Sequence, residues 1–126
     1  MNLTDLPTNE HWDAHDWEYV LHGSEFYEGA FTAPDGARAA DITADRIVRV
    51  DRWWATGGHE YADQDFVAVV ELSDGTWAAC MAWTDSSGWG CQQGVYWRVT
   101  QSLDDAVTYG LDQEGRRKLG LSLVGE

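Results

Sequence analysis

The run Phe66-Val67-Ala68-Val69-Val70-Glu71-Leu72-Ser73-Asp74-Gly75-Thr76-Trp77-Ala78-Ala79-Cys80-Met81-Ala82-Trp83-Thr84 decides the fold. Its two halves are apolar and partly β-branched, and they flank an Asp-Gly pair, the preferred centre of a two-residue type I′ turn, so the run reads as a β-hairpin. With Asp74 and Gly75 as that turn, Phe66, Ala68, Val70 and Leu72 face Trp83, Met81, Ala79 and Trp77. This predicts one bulky aromatic face. The other face carries Val67, Val69 and Glu71 beside Ala82, Cys80 and Ala78. Neither face is polar, so the pair is expected at the centre of a sheet with a second layer over at least one side. The small face is the one expected to let a helix approach closely.

Working outward, the helices lie downstream. Ser102 is an N-cap residue before Leu103, Asp104 and Asp105, whose carboxylates complement the helix dipole. Leu103, Ala106 and Val107 then form an i, i+3, i+4 stripe, and Gly110 is expected to stop the helix. Asp112 caps a second short helix with Glu114 in its first turn and Arg116, Arg117 and Lys118 near its end. Upstream, Arg46 to Trp54 alternates as a strand with Val48 and Val50 on one side and Arg49 and Asp51 on the other. Val95 to Thr100 reads as a further strand with Val95, Trp97 and Val99 on one face. In the front third, 17–21 and 25–31 are expected to pair as a hairpin around Gly23-Ser24, Thr32 to Gly36 reads as a turn, and residues 1–12 read as a loose lead-in. The expected fold is α+β: one domain over 1–126, mainly an antiparallel twisted β-sheet with two short C-terminal helices packed on one face.

Composition bounds the function. The chain has 126 residues, a size that folds around one core without metal or disulfide staples. It has no basic-then-apolar leader and no apolar run of the ~18 residues a membrane span needs, so a cytoplasmic location and no membrane are expected. Cys80 and Cys91 are expected as reduced, buried thiols in preference to a disulfide. Formal net charge is −14, and it is concentrated at the front: residues 1–45 hold ten carboxylates against one arginine, Arg38. Such an excess opposes a phosphate backbone and argues against direct nucleic-acid binding. It equally describes a solvated face.

Recognisable chemistry is sparse. His11 and His15, interleaved with Asp13 and Asp16, have a spacing that brings two imidazoles together on a helix, but no His-Glu-x-x-His pattern accompanies them, and solvated side chains are the better reading. Cys91 in the Gly-rich stretch 85–92 and the distant His59 have the residue types of a thiol nucleophile and its base; a structural cysteine is favoured. Asp85-Ser86-Ser87-Gly88 lacks the Gly-x-Ser-x-Gly elbow of a serine hydrolase, and no phosphate or dinucleotide loop occurs. No catalytic residue, cofactor or metal is therefore assigned, and an enzyme is the weakest reading. Of the eight tryptophans, Trp77, Trp83 and Trp97 are expected in the core. Trp12, Trp17, Trp53, Trp54 and Trp89 are left as candidates for contact.

The order Asp74-Gly75-Thr76-Trp77, Gly88-Trp89-Gly90-Cys91-Gln92, Ser102-Leu103-Asp104-Asp105-Ala106, Tyr109-Gly110-Leu111 and Glu114-Gly115-Arg116-Arg117-Lys118-Leu119-Gly120-Leu121 resembles a group of short proteins encoded by phages of actinobacteria. The likeness covers roughly residues 66–121 and carries no activity with it. It implies a setting inside an infected bacterium. Arginine supplies seven of the eight basic residues, in keeping with a GC-rich genome.

These readings converge on a small acidic, non-enzymatic accessory protein that binds a basic surface of a host protein, with a nucleic-acid-handling defence system as the target and DNA mimicry as its strongest form. The candidate contact residues are Glu10, Trp12, Asp13, Asp16, Trp17, Glu18, Glu25 and Glu28: carboxylates steer a basic partner, and indoles supply contact area. The competing expectations are a ligand or carbohydrate module built on Trp89 and the Trp53-Trp54 pair, a toxin-neutralising immunity protein, and a virion structural or decoration component.

Overall fold

A computed structural model describes residues 1–21, 37–38, 42–56, 64–85 and 92–121. The chain forms α1 (Ala14–Leu21), β1 (Ala37–Arg38), β2 (Ile47–Thr56), β3 (Gln64–Leu72), β4 (Trp77–Asp85), β5 (Gln92–Thr100), α2 (Leu103–Tyr109) and α3 (Gln113–Lys118), with 3-10 turns at Leu3–Asp5 and Ala44–Arg46. The strands form one antiparallel sheet in the order β1-β5-β4-β3-β2, with the two-residue β1 at one edge. The fold is α+β, and the two C-terminal helices pack on one face of the sheet as expected.

The central hairpin is present, but in a register one residue away from the expected one. Phe66 pairs with Ala82, Ala68 with Cys80 and Val70 with Ala78. The loop holds three residues, Ser73 to Gly75. The Gly75 N–H donates to the Leu72 carbonyl at 3.0 Å and the Leu72 N–H to the Thr76 carbonyl at 2.9 Å. Gly75 has φ of 87°, the left-handed position that closes a type I turn with a bulge. The Asp74 carboxylate accepts from both the Thr76 N–H and its hydroxyl, which stabilises the wider loop. Because side chains alternate with period two, this slip moves a whole set across the sheet. The face bearing Phe66, Ala68, Val70 and Leu72 therefore carries small Ala78, Cys80 and Ala82, while Val67 and Val69 stand beside Trp77, Ala79 and Met81.

β2 accommodates a matching irregularity. Register shifts between Ile47 and Arg49 and between Val50 and Arg52 leave Val48 and Asp51 as extra residues. Strict alternation would place Val48 with Val50; the bulge instead leaves Val48 51% exposed. Ile47, Val50, Trp53 and Ala55 all reach one core, and Trp54 reaches the other.

Two cores result, one on each face. On the first, Phe66, Ala68, Val70, Leu72, Cys80, Val95 and Trp97 are covered by Leu6, Trp12, Trp17, Val20, Leu21 and Ile42. On the second, Val67, Val69 and Ala79 are covered by Ala106 and Leu111, with Leu103, Val107, Leu119 and Leu121 at the margin. Ser102 caps α2 by accepting from the Asp105 N–H at 3.1 Å, and Asp112 caps α3 by accepting from the Gly115 N–H at 2.7 Å. Gly110 stops α2 in right-handed geometry. What it supplies is closeness: a Cβ there would lie 2.7 Å from the Ala79 Cβ.

The front third departs most from expectation. Residues 17–21 belong to a helix; a hairpin partner at 25–31 lies outside the described residues. Residues 1–12 are not a loose lead-in. Leu6 and Trp12 are buried, the terminal amine donates to the carbonyls of Ala44 (3.0 Å) and Ile47 (2.7 Å), and Asn9 Nδ2 donates to the Ala55 carbonyl (3.3 Å). These long-range bonds bring the segment against β2, which local sequence patterns do not report.

Candidate functional site: an acidic layer on one face of the sheet

The candidate contact residues fall on the layer made by residues 1–21. Asp13 and Asp16 form a reciprocal cap at the start of α1: the Asp16 N–H donates to Asp13 Oδ1 at 3.1 Å, and the Asp13 N–H donates to Asp16 Oδ2 at 2.9 Å. One buried stripe follows, Trp17, Val20 and Leu21, at the i, i+3, i+4 spacing of a helix that faces a core. The Asp-x-x-Asp spacing before that stripe is the sequence signal for α1, and the Gly23-Ser24 turn pattern obscures it.

Trp12 and Trp17 are not surface anchors. Trp12 is 2% exposed and stacks on Phe66 with ring centroids 4.4 Å apart; Trp17 is fully buried, edge-on to Phe66 at 4.9 Å and tilted against Trp53 at 6.3 Å. The Trp17 indole N–H donates to the Pro7 carbonyl at 2.7 Å. The Trp12 indole nitrogen is buried without a hydrogen bond. Burying an indole removes more apolar area from water than burying any other side chain, and here both rings pin the acidic layer to the sheet. A third indole works from the other side: Trp97 on β5 donates to the Val20 carbonyl at 3.0 Å.

The charge that this layer turns to solvent is mainly acidic. Asp5, Glu10, Asp13 and Glu18 are exposed and Asp16 is half-buried, with no lysine or arginine anywhere in residues 1–21. The Asp13 carboxyl is held below its usual value of 3.8, chiefly by the Asp16 backbone N–H and also by the nearby His15. Glu10 lies 3.3 Å from His11 Nε2. Glu25 and Glu28 lie outside the described residues. The structure thus pairs Asp13 with Asp16, leaves Glu10 and Glu18 exposed elsewhere on the same segment, and buries Trp12 and Trp17.

The other candidates separate. Trp53 pairs with Ala68 and packs in the first core, whereas Trp54 pairs with Val67 and packs in the second, so the two adjacent indoles do not make one platform. Trp54 instead lies under Lys118 Nζ, 5.1 Å from its ring, and Lys118 also reaches Asp65 at 3.7 Å. Across the sheet face from there, the Arg49 guanidinium covers Trp77 at 5.2 Å and meets Glu71 at 3.5 Å. Cys80 is buried and not in a disulfide, and burial pushes its thiol up, which suits a packing residue. Cys91, His59, Trp89, Ser86 and Ser87 lie outside the described residues. Among the described residues, no three His, Cys, Asp or Glu side chains group as metal ligands, and no helix is long and apolar enough to cross a membrane.

No protein-family model, curated protein or solved structure matches this chain.

Proposed function

We propose that this chain is a small acidic, non-enzymatic accessory protein of phage or prophage origin that works in the host cytoplasm by binding a basic surface on a host protein. Nucleic-acid-handling defence systems are the target class, since their working surfaces are basic. The observation that carries this reading is the layer over residues 1–21: Asp5, Glu10, Asp13 and Glu18 are exposed with no lysine or arginine among them, on a segment that two buried indoles, Trp12 and Trp17, pin to the sheet. Acid fixed on a packed layer costs less entropy to dock than acid on a free tail, and its field steers a basic partner at long range. The likeness of residues 66–121 to actinobacterial phage proteins supports the infected-cell setting.

The test is affinity capture from an actinobacterial lysate with the native chain and with a double variant, Glu10→Lys and Glu18→Lys, neither of which caps a helix. The native chain is expected to retain a nucleic-acid-binding protein at about 0.05 M salt and to release it near 0.5 M, where charges more than ~4 Å apart are screened. The variant is expected to lose it at both. Retention of no nucleic-acid-binding protein, or equal retention by the variant, overturns the reading.

A further inference from the structure

We propose that Met81 is an oxidation site at which one added oxygen loosens α3 from the sheet. Methionine occurs twice in the chain, at Met1 and Met81. Met81 lies on β4, is half-buried, and meets Gly115 of α3 at the seam between helix and sheet. A Cβ on Gly115 would stand 3.1 Å from the Met81 methyl carbon, 3.2 Å from its sulfur and 3.3 Å from Asp112 Oδ1. The sulfur, the Gly115 backbone and the capping carboxylate therefore share a tight space, in which even one added side-chain carbon would make its neighbours shift.

The chemistry at that point is a balanced oxygen transfer from hydrogen peroxide. A sulfur lone pair attacks one peroxide oxygen, the O–O bond breaks as the S–O bond forms, and the hydrogen on the transferred oxygen passes to the departing hydroxide, which leaves as water. Sulfur is oxidised by two electrons and the peroxide is reduced by two. The product replaces a flexible apolar thioether with a polar group that must fit where the thioether already touches Gly115. Its oxygen is an acceptor beside Asp112 Oδ1, which already takes the Gly115 N–H at 2.7 Å, so the two oxygens compete for one donor. Loss of this contact bears on the whole short helix. Six residues do not hold a helix in water by themselves, and α3 depends on its cap, on Leu119 and Leu121, and on Lys118 over Trp54.

The experiment is hydrogen exchange with site-resolved mass analysis, before and after treatment of the full chain with hydrogen peroxide. Oxidation of Met81 is expected to speed exchange of the Arg116 and Leu119 amides, which donate to Asp112 and Gly115 carbonyls, by about tenfold or more while the β3 and β4 amides keep their protection. Methionine sulfoxide reductase is expected to restore the original rates on the same chain. Met81→Leu, which conserves volume, is expected to keep α3 protected under peroxide; Met81→Gln is expected to expose α3 without it. Oxidation of Met81 with α3 protection unchanged overturns the proposal. So does oxidation of Met1 with Met81 left as the thioether.

Discussion

The two faces of the sheet are closed by layers of different construction. The C-terminal layer is local: α2 and α3 each carry a cap within three residues of its start, and the fully buried partners beneath them on β3 and β4, Val67, Val69 and Ala79, are small or β-branched. The N-terminal layer is long-range: Trp97 reaches Val20 across 77 positions, Asn9 reaches Ala55 across 46, and Trp12 and Trp17 close on Phe66. Helices this short are marginal in isolation, so both layers depend on the sheet. They depend on it differently. One is shaped by caps and a close backbone approach, the other by buried indoles, and the acid that gives the protein its character rides on the second.

Trp17→Ala tests that difference most severely. The side chain is fully buried, touches Phe66 and Trp53, and bonds the Pro7 carbonyl, so its removal is expected to cost about 3–5 kcal/mol by urea denaturation. Amides of α1 should lose protection before those of α2. A cost near that of an ordinary surface substitution, within about 0.5 kcal/mol, would break the comparison.

Gly110→Ala probes the other layer. The new Cβ would lie 2.7 Å from the Ala79 Cβ and 2.5 Å from the Ala106 carbonyl oxygen, so α2 must move or tilt. The expected cost is about 1–3 kcal/mol, the range for overpacking, read as a lower urea midpoint with faster exchange in α2 and no change in α1. Loss of protection in α1 as well would mean that the two faces do not respond separately.

The same contrast explains what the sequence reveals. Ser102, Asp112 and the stripe Leu103, Ala106 and Val107 are signals carried within a few residues, and the helices they predict are present. The Asp-Gly hairpin is local too, yet its register is decided by whether the loop has two or three residues. Asp74 accepting from Thr76, with Gly75 left-handed, favours three, and that slip moves Met81, Ala79 and Trp77 to the helix face. The bulges at Val48 and Asp51 are a tertiary adjustment of the same kind. Burial of Trp12 and Trp17 is masked in the sequence because the surrounding residues are acidic, and acid beside an indole looks like surface. The helix has two sides: His15 and Glu18 face out, with the capping Asp13 just before them, while Trp17, Val20 and Leu21 face in. Composition registers the first group, whereas the second becomes apparent only at a period of 3.6.

The smallest effect concerns how the acidic layer holds itself. Asp13, Asp45 and Asp74 all have carboxyls held below 3.8, in each case chiefly by a hydrogen bond that the charged form accepts: from the Asp16 N–H, the Thr43 hydroxyl and the Thr76 hydroxyl respectively. A group whose folded value is depressed binds fewer protons in the folded chain than in the unfolded one. Its contribution is therefore complete above the unfolded value, about pH 4, and is lost as pH falls through the folded value. Acidification also relieves repulsion within a chain of net charge −14, and that acts in the opposite direction. Asp13→Asn separates the two, because the amide oxygen can still accept from the Asp16 N–H but no longer titrates. Urea midpoints measured from about pH 6 down to pH 2.5 should draw together for the native chain and the variant toward the acid end, with the native chain's advantage complete above about pH 4 and shrinking steadily below it. Asp74→Asn, made as the matching control at the hairpin, should show the same convergence without altering α1 exchange. If Asp13→Asn instead keeps a constant deficit across the range, the α1 cap contributes by shape alone, and the charge on that layer is free for contact with a partner.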